Sequence, residues 1–371
     1  MSKLKILYVT STLRYPFFEK RISALSKYLT PFQVVGFDRK LPYCFGAPKA
    51  NYISLGEIPS GRYLLRIAYM IKGILRLRTS IEKTEVIYMF GLDMAMMVFA
   101  SLTLNKYKPL LVYEVHDIRE IMIKNHIVSI LLRKLERYIV SKCNITTVTS
   151  QSYIDNYYNN ILGLKDIIFY VLENKLLPEE LPKSMMILPS INKPVRIGYF
   201  GSIRCSVAWS VLKELVDNSN GDILLYVRGV PQNIETFYTD IENSPYINYD
   251  GPYRDPDDLN DIYTKVDLIW AAGFHGKSSY AWARSCRFYN ACCFKVPIIS
   301  QMNTDEGEVV DKLNIGICID LNNKNTIYQI CKITSDDIRS WRHNLINLPV
   351  SMYTYTNEHR KLAGQISNLL A

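Results

Sequence analysis

Short apolar runs alternate with longer amphipathic segments along the first half of the chain. The runs predict β-strands at residues 5–10, 33–37, 86–90, 110–113, 145–149 and 167–172. Apolar residues at helical spacing predict helices at 18–28, 62–78, 94–104 and 128–142. Buried strands that alternate with helices are typical of a parallel α/β sheet covered on both faces.

Prolines interrupt this pattern, and the second half then restarts it. Pro178, Pro182, Pro189 and Pro194 fall within 17 positions, which indicates a linker. Strands are predicted again at 196–200, 223–227, 248–249, 268–271, 297–300 and 316–319, with helices at 207–216, 257–265 and 284–294. The pattern therefore predicts a first domain over 1–175, a linker over 176–194 and a second domain over 195–350. A terminal helical segment over 351–371 is expected to pack back on the first domain.

Composition narrows the class of protein. Apolar residues make up 48% and charged residues 21%, which excludes wholesale disorder. The net charge of +9 indicates a phosphate-bearing partner without choosing among nucleotide, lipid and nucleic acid. The eight cysteines and five histidines lack the spacing of a zinc site or a disulfide framework. We therefore expect buried thiols in a reducing cytoplasm, and no metal.

The loops that follow the predicted strands hold the candidate functional residues, because ligands of parallel α/β sheets bind beyond the carboxyl ends of the strands. In the first half these residues are Ser11, Thr12 and Arg14 after the first strand, and Glu114, His116 and Asp117 after the fourth. In the second half they are Gly201 and Arg204 after the first strand, and Lys277 and Arg284 further on.

Several short motifs in the second half reveal a resemblance. Residues 287–300, Arg-Phe-Tyr-Asn-Ala-Cys-Cys-Phe-Lys-Val-Pro-Ile-Ile-Ser, are similar to a basic, apolar, Tyr-Glu helix followed by a Pro-Val-Ile strand. The strand 195–201, Gly251, the segment 258–268, His116-Asp117 and Glu173-Asn174 fit the same pattern in order and spacing. In these features the chain resembles the glycosyltransferases with two Rossmann-like domains (GT-B), most closely the large family 4 group, over nearly its whole length.

The resemblance implies an α/β fold with two Rossmann-like domains facing a central cleft, and a C-terminal helix that crosses back to the first domain. It also implies a glycosyltransferase that moves a sugar from a UDP- or GDP-linked donor on the second domain to an acceptor on the first. The acceptor would be a glycan or a polyprenyl-diphosphate-linked sugar, in surface polysaccharide assembly. We expect no cofactor and no nucleic-acid partner.

The resemblance assigns the donor-binding residues. Arg287 would stabilise the negative charge that develops on the diphosphate leaving group. The same phosphates would be met by Arg204 or Arg284, with Lys277 as a further candidate. The remaining predicted donor contacts are Gly201, Asn290, Glu306 and Glu308. Trp282 and Asn290 stand where the family usually has two glutamates.

The resemblance also assigns the catalytic and acceptor residues. His116 would lie near the transferred sugar, with Asp117 beside it, and the family pattern favours retention of configuration. A general base at Asp117 or Glu114 would instead serve an inverting enzyme, so the stereochemistry stays open. Ser11, Thr12 and Arg14 are expected to face the acceptor.

The predicted helix at 62–78 is basic and amphipathic. Its basic residues are Arg62, Arg66, Lys72, Arg76 and Arg78. Such a helix can lie on the inner face of the cell membrane, or it can be an ordinary domain helix with solvated arginines. Two functional alternatives also stay open: a nucleotide-sugar epimerase of the same architecture, and a non-catalytic binding subunit derived from the family.

Overall fold

The computed structural model describes residues 4–39, 41, 51–58, 63–82, 84–103, 108–182, 194–273 and 279–371. The chain divides into two compact units. Unit 1 comprises Met1–Glu173 and Asn357–Ala371, and unit 2 comprises Asn174–Thr356.

Unit 1 is built on a parallel sheet of seven strands. They are β1 (Leu4–Thr10), β2 (Phe32–Asp38), β3 (Tyr52–Glu57), β4 (Thr84–Phe90), β5 (Leu110–Val115), β6 (Ile145–Val148) and β7 (Phe169–Val171). Their order is β3-β2-β1-β4-β5-β6-β7, so the chain winds outwards in both directions from β1. The central strands are buried on both faces, which explains their continuous apolar sequence.

The helices of unit 1 connect these strands. They are α1 (Pro16–Ser26), α2 (Tyr63–Ile81), α3 (Leu92–Leu102), α4 (Ile127–Lys142) and α5 (Gln151–Tyr153), which continues as a π-helical stretch over Ile154–Ile161. A short 3₁₀ turn, Glu120–Met122, precedes α4. Helix α3 packs against both α2 and α4, so these three helices are neighbours.

Unit 2 repeats the architecture with six parallel strands. They are β8 (Val195–Ile203), β9 (Ile223–Pro231), β10 (Ile247–Tyr249), β11 (Leu268–Trp270), β12 (Ile298–Gln301) and β13 (Gly316–Ile319), in the order β10-β9-β8-β11-β12-β13. The helices are α6 (Ser206–Asn218), α7 (Phe237–Asn243), α8 (Leu259–Tyr263), α9 (Cys286–Phe294), α10 (Asp305–Leu313), α11 (Thr326–Cys331) and α12 (Ser335–Ile346). Alternate residues of β8 and β11 enter two separate apolar clusters, so both faces of the sheet are covered.

The terminal helix α13 (Glu358–Leu370) belongs to unit 1, where it packs against α1 and β5. The Arg21 guanidinium fixes it from α1, because Nη1 lies 3.1 Å from His359 Nε2 while Nε donates to Glu114 at 3.0 Å. The helix begins at Glu358, later than the segment predicted over 351–371, since a 3₁₀ turn (Val350–Met352) and a bridge between Leu176 and Thr354 hold the preceding residues in unit 2.

The predicted α/β architecture with two Rossmann-like sheets is confirmed. The pattern did not predict strand β3, which lies at a sheet edge, is half exposed and lacks an apolar run. It also did not predict helices α7, α11 and α12. Helix α12 carries a recognisable signal, because Thr334 and Asp337 form a capping box at its start.

Candidate functional site

Two glycines hold β8 and β9 close together near their carboxyl ends. Gly201 has a φ of +97° and pairs with Gly229, whose φ is +141°. A Cβ atom on Gly229 would lie 1.8 Å from the Gly201 carbonyl oxygen, so only glycine fits there. Strand β8 continues to Ile203, so Gly201 lies within the strand and not at the strand-to-helix turn that the sequence suggested.

Arg287 lies in the first turn of α9, at the carboxyl end of β11. Its Nη1 donates to the Trp270 carbonyl oxygen at 3.2 Å, and its guanidinium lies 5.3 Å from the centroid of the Tyr199 ring. The Ser285 hydroxyl caps the helix by accepting from the Phe288 amide at 3.3 Å. A half-buried cation is thereby fixed beside a helix N-terminus, where both favour a bound anion.

Two tyrosines that the sequence analysis did not single out lie beside this cation. Burial raises the pKa of the Tyr199 and Tyr253 hydroxyls, while the positive charge of Arg287 acts to lower both pKa values. The Tyr253 hydroxyl lies 3.8 Å from the position of a Cβ on Gly201. Arg228 supports the loop that carries Tyr253, since it donates to the Gly251 and Pro252 carbonyl oxygens at 3.2 Å and 2.9 Å. The sequence signal that could have identified Tyr199 is its position two residues before the candidate Gly201.

In unit 1, His116 follows β5 and lies in an aromatic environment. Its ring centroid is 5.5 Å from that of Phe17 and 5.4 Å from that of Phe18, both at the start of α1. Burial lowers the pKa of His116 below 6.5, although Asp117 and Glu114 act to raise it. The Nδ1 atom is buried and has no hydrogen-bond partner within the described ranges. His116 is therefore an imidazole kept neutral by burial, with one buried nitrogen that has no partner among the described groups.

Comparison with known proteins bears on the fold that carries these residues. No protein-family model matches the chain. The chain is 26% identical over 329 residues to the succinoglycan biosynthesis protein ExoL of Rhizobium meliloti (strain 1021). The matched region covers 85% of this chain and 81% of ExoL.

Solved structures are similar over nearly the whole length. Anabaena HepE in complex with UDP and glucose has a TM-score of 0.72 at 12% identity and covers 98% of this chain and 100% of that one. Sucrose-phosphate synthase from Thermosynechococcus elongatus has a TM-score of 0.72 at 12% identity, covering 99% of each chain. The glycosyltransferase WaaG, involved in lipopolysaccharide biosynthesis, has a TM-score of 0.70 at 13% identity, covering 98% and 99%.

This is the GT-B fold. The resemblance that the sequence predicted is confirmed at the level of the fold. Within that GT-B fold, Gly201 and Arg287 lie together at the carboxyl edge of the sheet of unit 2, and His116 lies at the carboxyl edge of the sheet of unit 1.

The two other described arginines predicted to bind the donor differ from Arg287. Arg204 is exposed, and its guanidinium lies 4.7 Å from the centroid of the Tyr280 ring. Arg284 donates to Asp305 at 2.6 Å, so a carboxylate already balances its charge. Arg204 thus remains a prediction as a phosphate ligand, whereas Arg284 has a structural partner. Lys277 lies outside the described residues.

The acidic and amide residues predicted to contact the donor also differ in burial and in whether an internal group already engages them. The buried Glu306 carboxylate accepts from the Ser285 amide and hydroxyl, each at 2.8 Å, and burial raises its pKa. Glu306 therefore fixes the start of α9, and a direct donor contact does not fit its position. Asn290 is 4% exposed within the core, Glu308 is exposed on the first turn of α10, and Trp282 is half-buried.

The first loop of unit 1 is held by neighbouring side chains. Arg14 has a φ of +61° and donates to Asp38 at 3.1 Å, while Thr12 is buried and accepts from Arg39 at 3.3 Å. Ser11 is half-buried. Thr12 is thus buried in an internal contact, which does not fit an acceptor role, whereas Arg14 and Ser11 are half-buried and remain predictions as acceptor contacts.

Glu114 does not suit the role of general base. It is 1% exposed, pairs with Arg21 and accepts a short hydrogen bond from the Tyr88 hydroxyl. Asp117 is exposed beside His116 and remains the candidate base.

The basic helix predicted at 62–78 corresponds to α2. Arg62 and the side chain of Arg66 lie outside the described part of the structure. Lys72 and Arg76 are exposed alongside Ile71 and Leu75, which are 60% and 67% exposed. Among the described residues, no helix is long and apolar enough to cross a membrane.

Proposed function

We propose that the protein is a glycosyltransferase that moves a sugar from a nucleotide-sugar donor to a glycan or lipid-linked acceptor. Unit 2 binds the donor and unit 1 supplies His116 and the acceptor loop. The observation that carries this proposal is the fixed cation of Arg287 at the N-terminus of α9, beside Gly201, in a GT-B fold.

The chemistry follows from that placement. The bond between the anomeric carbon and the diphosphate oxygen breaks, a bond to the acceptor oxygen forms, and the acceptor proton is released. Negative charge grows on the departing diphosphate, and the Arg287 guanidinium with the amides of α9 stabilises it. His116, neutral and half-buried at the carboxyl edge of the sheet of unit 1, hydrogen-bonds a hydroxyl of the sugar.

The biological setting is inferred from the relatives. ExoL is a succinoglycan biosynthesis protein, WaaG is involved in lipopolysaccharide biosynthesis, and HepE has been solved with UDP-glucose. We infer a UDP-linked donor, surface polysaccharide as the product and the cytoplasm as the location. A polyprenyl-linked acceptor would bring α2 to the membrane surface, with Lys72 and Arg76 towards anionic headgroups. No cofactor is required by this chemistry.

A thermal-shift screen against nucleoside diphosphates and nucleotide sugars tests the proposal. A ligand that binds only the folded state raises the melting temperature, by an amount set by its concentration relative to Kd. We expect UDP and a UDP-sugar to stabilise the protein. Absence of a shift with every nucleotide would overturn the proposal. Sugar turnover without acceptor and without hydrolysis would instead indicate an epimerase.

A further inference from the structure

Arg21 is a cation buried inside unit 1, and its guanidinium meets three separate segments of the chain. It lies on α1 and is 2% exposed. Its Nε donates to the Glu114 carboxylate on β5 at 3.0 Å, and Nη2 donates to the Leu172 carbonyl oxygen at 2.9 Å. Nη1 lies 3.1 Å from Nε2 of His359, on the first turn of α13. Because the donors of a planar guanidinium point in set directions, contacts at all three nitrogens fix its orientation.

His359 accepts the hydrogen bond in its contact with Arg21. A guanidinium carries only donors, so Nη1 faces a neutral imidazole whose Nε2 is unprotonated. Burial, and then the charge of Arg21, lowers the pKa of His359 to about 2, in agreement with this assignment. His359 is 5% exposed and belongs to the segment that returns to unit 1 at residue 357. The docking of α13 thus supplies the acceptor that holds one side of the Arg21 fork.

Two groups that meet Arg21 also border His116. The guanidinium carbon lies 5.6 Å from the centroid of the Phe17 ring, and that centroid is 5.5 Å from the centroid of the His116 ring. Glu114 comes two residues before His116, and its carbonyl oxygen accepts from the Gly91 amide at 2.9 Å. Gly91 has a φ of +82°, and a Cβ atom on it would lie 3.4 Å from Cε1 of His116. Groups in direct contact with Arg21 therefore form part of the wall around the His116 ring.

We propose that Arg21 is a positioning residue for His116, and that His359 sets Arg21 in place when α13 docks on unit 1. His359 orients the guanidinium, the guanidinium holds Glu114 and Phe17, and these two hold the imidazole. A purely structural ion pair would lower stability when broken but would leave the His116 ring unchanged. The inference rests on the proposed function for the task of His116, and it adds what keeps that imidazole in place.

The titration of His116 tests the proposal, followed by NMR of the full chain with labelled imidazole nitrogens. His116→Gln identifies its signal among those of the five histidines. Burial lowers the pKa of His116, Asp117, Glu114 and Asp93 act to raise it, and Arg119 acts to lower it. Loss of the Arg21 contacts loosens the packing around the ring and leaves the Glu114 charge less well balanced. Both changes raise the pKa of His116.

Three variants break the connection at different points. His359→Leu removes the acceptor, Arg21→Lys removes the fork but keeps the charge, and Phe17→Leu removes the half-buried ring. Each should raise the titration midpoint of His116 by about half a pH unit or more. His359→Gln should keep the wild-type midpoint, because its amide oxygen can accept from Arg21. Ile366→Ala is the matched control, since Ile366 is fully buried two turns along the same helix and its truncation opens a cavity.

The outcomes separate positioning from plain stability. A raised midpoint in His359→Leu and Arg21→Lys, with His359→Gln and Ile366→Ala unchanged, supports the proposal. An unchanged midpoint in these two variants overturns it, as does an equal rise in Ile366→Ala, which would mean that any loosening of α13 has the same effect. Where a variant of the buried pair does not fold, an unchanged midpoint in Phe17→Leu overturns the proposal and a raised one supports it. Absence of every nucleotide shift would overturn the proposed function and leave the coupling of Arg21 to His116 standing.

Discussion

The two units share one architecture but carry different surfaces. Both wind a parallel sheet outwards from a central first strand, β1 in unit 1 and β8 in unit 2. Yet unit 1, with 26 Lys and Arg against 14 Asp and Glu, has a net charge of +12, and unit 2, with 18 against 21, has a net charge of −3. The shared fold gives both units the same kind of ligand position, at the carboxyl edge of a sheet. The different surface charges show that the two units are suited to different ligands.

Buried ion pairs make a second contrast. In unit 1, Glu114 and Arg21 are 1% and 2% exposed, and Arg21 also donates to the Leu172 carbonyl oxygen. In unit 2, the buried Asp267 meets two arginines, Arg196 at 3.0 Å and Arg342 at 3.2 Å. Loss of one arginine therefore leaves Asp267 paired, but removes the cation that faces Glu114.

Substitution of Arg21 and of Arg342 should lower the free energy of unfolding by different amounts. Arg21→Met should lower the free energy of unfolding by about 3–5 kcal/mol, because it leaves a buried carboxylate without its cation. Arg342→Met should cost about 1–2 kcal/mol, because Asp267 retains Arg196. Urea denaturation measures both. Equal losses in the two variants would show that the second arginine does not compensate.

Acid should destabilise unit 1 through His359. Burial, and then the charge of Arg21, lowers the pKa of His359 to about 2. In the unfolded chain His359 binds a proton near pH 6.5, whereas in the folded chain it stays neutral at that pH. The stability that depends on a neutral His359 is therefore fully present above pH 6.5 and is lost as the pH falls. The loss at pH 5 is about 2 kcal/mol. His359→Gln should flatten the decline between pH 7 and 5 in urea titrations, and an unchanged slope would contradict the assignment.

A substitution in unit 1 should alter transfer without altering donor binding. His116→Ala should lower kcat roughly tenfold, because one hydrogen bond contributes about 1–1.5 kcal/mol and about 1.4 kcal/mol of barrier is a tenfold change in rate, while the thermal shift with nucleotide stays at the wild-type value. Because burial lowers the pKa of His116, the acid limb of kcat that it controls should lie below pH 6.5. A limb at higher pH, or a lost nucleotide shift, would remove His116 from this role.

The sheets could be predicted from the sequence, because central parallel strands are buried on both faces and are therefore short, continuous apolar runs. It could not predict β3, whose edge position leaves Tyr52 half-buried and Ile53 37% exposed. The resemblance pointed to Arg287, and the structure has it in the first turn of α9, capped by Ser285. Its role at the donor phosphates stays a prediction. The internal pairing of Glu114 with Arg21 and of Glu306 with Ser285 could not be predicted from the sequence, because each pair is distant along the chain.

The affinity of the Arg287 variant for a nucleoside diphosphate tests the central claim most directly. Calorimetric titration with UDP, or with whichever diphosphate stabilises the protein in the screen, should compare wild type, Arg287→Ala and the control Arg339→Ala. A charge-assisted contact is worth about 1.5–3 kcal/mol, so Kd should rise at least about tenfold in Arg287→Ala. Arg339→Ala, on the exposed surface of α12, should bind as wild type does. Equal affinity of Arg287→Ala and wild type would contradict the assignment of the donor phosphates to this cation.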